Sequence, residues 1–328
     1  MNAPVPPSTR PPSTPPGPSS GTAPRLRICD VGLRDGLQNE KVPVSTADKL
    51  RVGAALIDAG VRELEITSFV NPQAVPQMAD AEAVEAGSRA WRDKGVRRTA
   101  LVINEKGYGR AKESGIEGIV VVAVISETLG KRNSNMGIAD AIATTRRIIG
   151  AAKRDGLFVR ACLAPAWVCP FEGEVPDSRV YGAAEAVLAE LPDELVVADT
   201  IGHADPRTVR DRCRRLLQMA GTERLVVHLH DTQALGMANA YAAMEVGATA
   251  FDASVGGLGG CPFAPGAAGN LATEDLVFLA AKLGLATGID LDRLWSAVEL
   301  AGELVGRKVG GRTGTYRAAR ATREERRS

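Results

Sequence analysis

The stretch Gly118-Ile-Val-Val-Val-Ala-Val-Ile125 governs how the chain is read. From Ile119 to Ile125 it is apolar without alternation, the pattern of a strand buried on both faces of a parallel sheet. Seven apolar residues are far short of the roughly 20 that cross a bilayer. Outward from it, similar short runs recur at 26–30, 63–67 and 98–103 on one side. On the other side they lie at 157–163, 194–199, 224–230 and 249–255. Helix signals fall between them. Ser45 with Asp48 resembles a capping box ahead of Leu50, Val52, Leu56 and Ala59. Asp205-Pro206 supplies an N-cap and a proline at the first helical position. Thr273 with Glu274 and Asp275 opens a further helix, and Gly60, Gly156 and Gly247 suit helix C-caps.

Eight strand–helix units in about 250 residues predict an α/β fold, a closed (β/α)8 TIM barrel with additional C-terminal helices. The competing doubly wound open sheet lacks support, because no G-x-G-x-x-G follows the first strand. Three segments are expected: a disordered Pro-rich tail over 1–24, the barrel domain over 25–309, and a disordered basic tail over 310–328.

The chain has 328 residues, 45% of them hydrophobic, and 40 basic against 39 acidic groups give a net charge of +1. That balance argues against a polyanion binder, and 4% aromatic residues argue against a base-stacking surface. Neither nucleic acid nor a membrane is an expected partner. Five cysteines, with no C-x-x-C pair, form neither a disulfide framework nor a zinc ribbon and fit a reducing compartment. No signal-peptide pattern opens the sequence, so the cytoplasm is the expected location.

In such a barrel the C-terminal strand ends converge on one mouth, and polar residues there are the first suspects. The first strand runs into Arg34-Asp35-Gly-Leu-Gln-Asn39-Glu40, the second carries Glu65 and Thr67, and the sixth ends in Asp199-Thr200. The seventh ends in His228-Leu-His230-Asp231. Only three histidines exist, and this H-x-H pair holds two of them on one face of a strand. Two adjacent imidazoles are explained as neutral ligands of one cation. With oxygen from Asp35 and Asn270 that cation is Mg2+ or Mn2+, while a two-His-one-carboxylate set also suits Fe(II). Asp35 can alternatively be a turn residue beside Gly36. After the eighth strand, Gly256-Gly-Leu-Gly-Gly-Cys261 places one thiol in a glycine-dense loop, suited to a proton donor or nucleophile that closes over substrate.

Several stretches together resemble the 3-hydroxy-3-methylglutaryl-CoA lyase family: Arg34-Asp-Gly-Leu-Gln-Asn-Glu40, Glu65-Ile-Thr-Ser-Phe69, Asp199-Thr-Ile-Gly202, His228-Leu-His230-Asp-Thr232, and Ser254-Val-Gly-Gly-Leu-Gly-Gly-Cys261-Pro-Phe263 with Gly269-Asn270. The resemblance spans about Leu26 to Leu304. It implies a metal-dependent carbon–carbon lyase that splits a 3-hydroxy-acyl-CoA, foremost 3-hydroxy-3-methylglutaryl-CoA, into acetyl-CoA and acetoacetate, as in leucine degradation. A citramalyl-CoA lyase and an acetyl-CoA-condensing synthase are the alternatives. By motif, Asp35, His228, His230 and Asn270 hold the ion, Arg34 stabilises the enolate oxygen, and Cys261 protonates it. Glu65 and Asp199 orient the ligands and Arg34, and the base is His228 or a water on the ion. A homodimer is implied too. The chain departs from the family where Cys162 and Ala164 replace a Tyr and a Ser on strand five, which leaves the acyl group open.

Overall fold

A computed structural model describes residues 24–260 and 269–317. Eight parallel strands close into a barrel: β1 (Arg27–Asp30), β2 (Glu63–Ser68), β3 (Arg97–Val102), β4 (Gly118–Val124), β5 (Phe158–Ala164), β6 (Glu194–Asp199), β7 (Leu225–Leu229) and β8 (Ala250–Ala253). β1 pairs with β8 in register from Arg27 opposite Ala250 to Asp30 opposite Ala253, which seals the ring. The expected strands are all present, each within a few residues of its expected bounds.

Helices α1 (Thr46–Asp58), α2 (Ala81–Ser88) and α3 (Glu105–Ser114) follow the first three strands. After β4 come α4 (Glu127–Ser134) and α5 (Ile138–Arg154); then α6 (Asp177–Leu188), α7 (Pro206–Ala220), α8 (Gly236–Glu245), α9 (Thr273–Lys282) and α10 (Leu291–Val305). Local chemistry fixes their starts. The Ser45 hydroxyl accepts from the Asp48 amide at 3.2 Å, and Asp205 Oδ1 accepts from the amides of Arg207 and Thr208 at 2.9 and 3.2 Å. Gly60, Gly156 and Gly247 all take positive φ, closing the helices before the next strands.

The main core lies between the barrel wall and the helices, with Leu64, Ile66, Ile119, Val159, Val197 and Val227 turned outward into it. A second, smaller cluster lies inside the barrel: Leu101, Val120, Cys162, Val196, Ala198, Val226 and Ala250. Two features go beyond the sequence expectation. A small antiparallel hairpin (Val168–Cys169 with Gly173–Glu174) interrupts the crossover from β5 to α6. The turn after β1, Gly32–Gly36, is a five-residue π-helix.

One expectation is corrected. Residues 310–317, expected to open a disordered tail, are ordered against α9. The amide of Gly311 donates to Glu274 Oε1 at 2.7 Å, and those of Arg312 and Thr313 donate to the Asp275 carboxylate at 2.7 and 2.9 Å. Residues 312–317 are helical. Glu274 and Asp275, expected only to start α9, are buried and serve as acceptors for this segment. The N-terminal tail up to residue 23 and residues 318–328 lie outside the described residues.

Candidate metal centre and active site

The π-helix after β1 carries Arg34 and Asp35. A side chain on Gly36 would come within 2.8 Å of Ser254 Oγ, so a glycine is needed for this turn to lie against the end of β8. Arg34 Nε donates to Glu65 Oε1 at 2.6 Å, and Arg34 Nη1 donates to Asp35 Oδ1 at 2.5 Å. The β7 end delivers the two histidines to one face, ring centroids 5.2 Å apart. Residues 269–271 return across the mouth. Leu271 N donates to Leu229 O at 2.9 Å and Asp231 N to Gly269 O at 3.1 Å, so Asn270 bridges to His230. Asn270 Nδ2 then donates to Asp35 Oδ2 at 2.6 Å and to Leu258 O at 3.1 Å.

Asp35, His228 and His230 each offer a ligand atom, and these atoms lie within 4.8 Å of one another. Their electrostatics suit a cation. Burial pushes the Asp35 carboxyl up, but Arg34, the two imidazoles and Asn270 outweigh it and hold it well below the usual carboxylate range. His230 is pushed down to about 4 by burial and by the neighbouring His228, so its ring is neutral. Its Nδ1 is buried without a hydrogen-bond partner among the described residues. For His228 burial acts downward too, yet the hydrogen bond and charge of Asp252 prevail and raise it. That bond, His228 Nδ1 to Asp252 Oδ2 at 3.2 Å, occupies one ring nitrogen and leaves Nε2 free. Two imidazole nitrogens, a carboxylate oxygen and the Asn270 amide oxygen make a donor set that fits a divalent ion.

Asp252 was not anticipated from the sequence. Its other oxygen accepts from Arg160 Nη2 at 2.6 Å, and Arg160 Nε reaches Glu194 Oε2 at 2.8 Å. Glu194 pairs with Arg27 at 2.8 Å, and Arg27 with Glu63 at 2.9 Å. A line of charge thus runs from the partly exposed Arg27 and Glu63 at the N-terminal strand ends, through buried Glu194, Arg160 and Asp252, up to His228. The available signal was a charged residue inside an otherwise apolar strand, as at Arg160 and Asp252.

Asp199, at the end of β6, is bonded to the turn that follows it. Its oxygens accept from the amides of His203 and Ala204 at 3.0 and 3.1 Å. One lone pair on each oxygen is thus engaged by the turn after β6, which Asp199 shapes. Cys261 lies outside the described residues.

Arg34, Asp35, Glu65, His228 and His230 line one cavity of about 220 Å³ at the barrel mouth. Gln38 Oε1 and Thr200 Oγ1, buried without partners among the described residues, belong to residues that line it as well. The HMGL-like family model matches residues 25–301. The chain belongs to the HMGL-like family. This HMGL-like chain is 38% identical to the hydroxymethylglutaryl-CoA lyase YngG of Bacillus subtilis over 288 residues, covering 88% of this chain and 96% of the relative. It is 40% identical to the (R)-citramalyl-CoA lyase of Chloroflexus aurantiacus over 291 residues, 86% of this chain and 92% of that one. Among solved structures it is similar to the hydroxymethylglutaryl-CoA lyase of Pseudomonas aeruginosa, with a TM-score of 0.86 and 37% identity over 91% of this chain and 99% of the other. No helix among the described residues is long and apolar enough to cross a membrane.

Proposed function

We propose that the protein cleaves 3-hydroxy-3-methylglutaryl-CoA to acetyl-CoA and acetoacetate, with Mg2+ or Mn2+ bound by Asp35, His228, His230 and Asn270. The observation that carries this reading is the Asp35–His228–His230 cluster within 4.8 Å, beside an Arg34 fixed by Glu65, all on one cavity. When bound, the ion acidifies the substrate's tertiary hydroxyl and fixes its orientation.

The chain's own groups supply the rest. His228 is not the base, because Asp252 holds its Nδ1 and its Nε2 is kept for the ion; the hydroxyl proton leaves to water in the cavity. As that proton leaves, the hydroxyl-bearing carbon becomes the ketone of acetoacetate, the bond to the neighbouring methylene breaks, and the electron pair passes into the thioester enolate. Arg34, positioned by Glu65, stabilises the enolate oxygen. Cys261 delivers a proton to the enolate carbon, giving acetyl-CoA.

The Chloroflexus relative favours a second reading, in which citramalyl-CoA is the substrate and pyruvate the ketoacid released. A cytoplasmic location accords with four buried cysteines that form no disulfide. A homodimer is proposed on family resemblance. The test is release of acetyl-CoA from each ester with Mg2+ present and after EDTA. Release from 3-hydroxy-3-methylglutaryl-CoA that EDTA abolishes is expected. Release from citramalyl-CoA alone selects the second reading, and release from neither ester refutes both.

A further inference from the structure

Glu274, near the start of α9, is fully buried, and its two oxygens face different pieces of chain. Oε2 accepts from the Gly256 amide at 3.1 Å, and Oε1 accepts from the Gly311 amide at 2.7 Å. Gly256 lies in the turn Val255–Gly257 just after β8, and its carbonyl accepts from Gly310 N at 3.0 Å. Gly256 takes φ +65°, and a β-carbon on it would come within 2.7 Å of Val309 Cγ2. Residues 309–311 therefore lie flush on that turn. The amides of Arg312 and Thr313, both on Asp275, fasten the next residues to α9. A carboxyl buried without partners is costly, so Glu274 ties the positions of the turn and the segment together.

The same turn sets Leu258, whose amide donates to Val255 O at 3.2 Å. Leu258 O accepts from Asn270 Nδ2 at 3.1 Å and from Asn270 N at 3.4 Å. Asp35 takes the second Nδ2 hydrogen. With both amide hydrogens spent, the Asn270 side-chain oxygen is the atom left for an ion. A line of contacts thus leads from residues 309–311 through Gly256 and Leu258 to Asn270.

We propose that residues 309–313 are a positioning segment of the metal centre: seated on Val255–Gly257, they fix Leu258 O and through it the direction of the Asn270 side-chain oxygen. The proposal rests on the ion-binding reading above and adds to it residues that do not touch the ion.

The test titrates Mn2+ into the full chain and its variants, with free Mn2+ read by electron paramagnetic resonance and folding checked by circular dichroism. In Gly311→Val the new side chain collides with α9, because a β-carbon at 311 would lie 2.2 Å from Asp275 Oδ2. Gly311 is only half-buried, at the edge of the fold. Mn2+ affinity is expected to fall about tenfold, the low end of the effect of disturbing an outer partner of a metal ligand. Ending the chain after Lys308 is expected to do the same, and if one of these variants does not fold the other decides. In an Asn270→Ala background, Gly311→Val is expected to change Mn2+ affinity by less than about twofold, because the ligand it steers is gone. Parent affinity in either folded variant overturns the proposal and leaves the ion-binding reading standing. A tenfold loss that persists in the Asn270→Ala background overturns it too, since the effect then does not pass through Asn270. An Asn270→Ala chain that binds Mn2+ like the parent refutes the ligand assignment itself, and the proposal with it.

Discussion

Replacing Arg160 by Met tests the line of charge beneath the metal cluster. Arg160 sits between Asp252 at 2.6 Å and Glu194 at 2.8 Å, and the side chains of all three are at most 4% exposed. Met keeps much of the stem and removes the guanidinium. Glu194 retains Arg27 at 2.8 Å, but among the described residues Asp252 is left with only the His228 ring. Breaking a buried ion pair by removing one partner costs about 3–5 kcal/mol, because the remaining charge is buried and uncompensated. Against a typical total stability of about 5–15 kcal/mol that loss is large. Urea denaturation followed by circular dichroism measures it. The double variant Arg160→Met/Asp252→Asn is expected to recover part of the loss, since it removes the stranded carboxylate; the two sites share a contact, so their effects are not additive. A single-variant cost below about 1 kcal/mol, or a double variant no more stable than the single, would show that the desolvated charge is not what holds this part of the barrel.

Other expectations concern the site and the caps. Cys261→Ser is expected to leave Mn2+ affinity near that of the parent while kcat falls by about 10²–10⁴, the usual range for losing a general acid; unchanged turnover refutes the thiol's role. Asp205→Ala removes the acceptor of two amide hydrogens at the start of α7 and is expected to cost about 0.5–2 kcal/mol in urea denaturation, against no change if the cap is idle. Burial raises Glu274 from 4.5 to about 7, despite backbone amides that oppose the shift. A carboxyl raised on folding holds its proton more tightly in the native state, so its contribution to stability is lost as pH rises from about 4.5 to about 7. The stability difference between the parent and Glu274→Gln is therefore expected to move against the parent across that window, and a difference constant from pH 4 to 8 refutes the assignment.

How far the sequence could be read depended on whether the information was local. The run 118–125 and its shorter, largely apolar counterparts coincide with the barrel strands, because burial on both faces favours apolar residues whatever the partner strands are; 63–67, with Glu63, Glu65 and Thr67, departs most from that pattern. Ser45 and Asp205 marked helix starts because a cap bonds within its own turn. The two histidines were legible as a pair because alternation along β7 puts them on one side.

What only the tertiary structure decided were meetings of side chains from distant strands. Asp35 and Asn270 are 235 residues apart and Arg160 and Asp252 are 92 apart; nothing local in either stretch specifies the other. Asp199 sits at a strand end as expected, and the loop that follows it folds back to place one amide on each of its oxygens. The residues 310–317 looked like a frayed basic end until two buried carboxylates on α9 were found to accept their amides. Strand periodicity and capping are written in neighbouring residues. Closing the ring brings β1 against β8, and which charges then meet inside it depends on register and burial, which no single stretch of the chain contains.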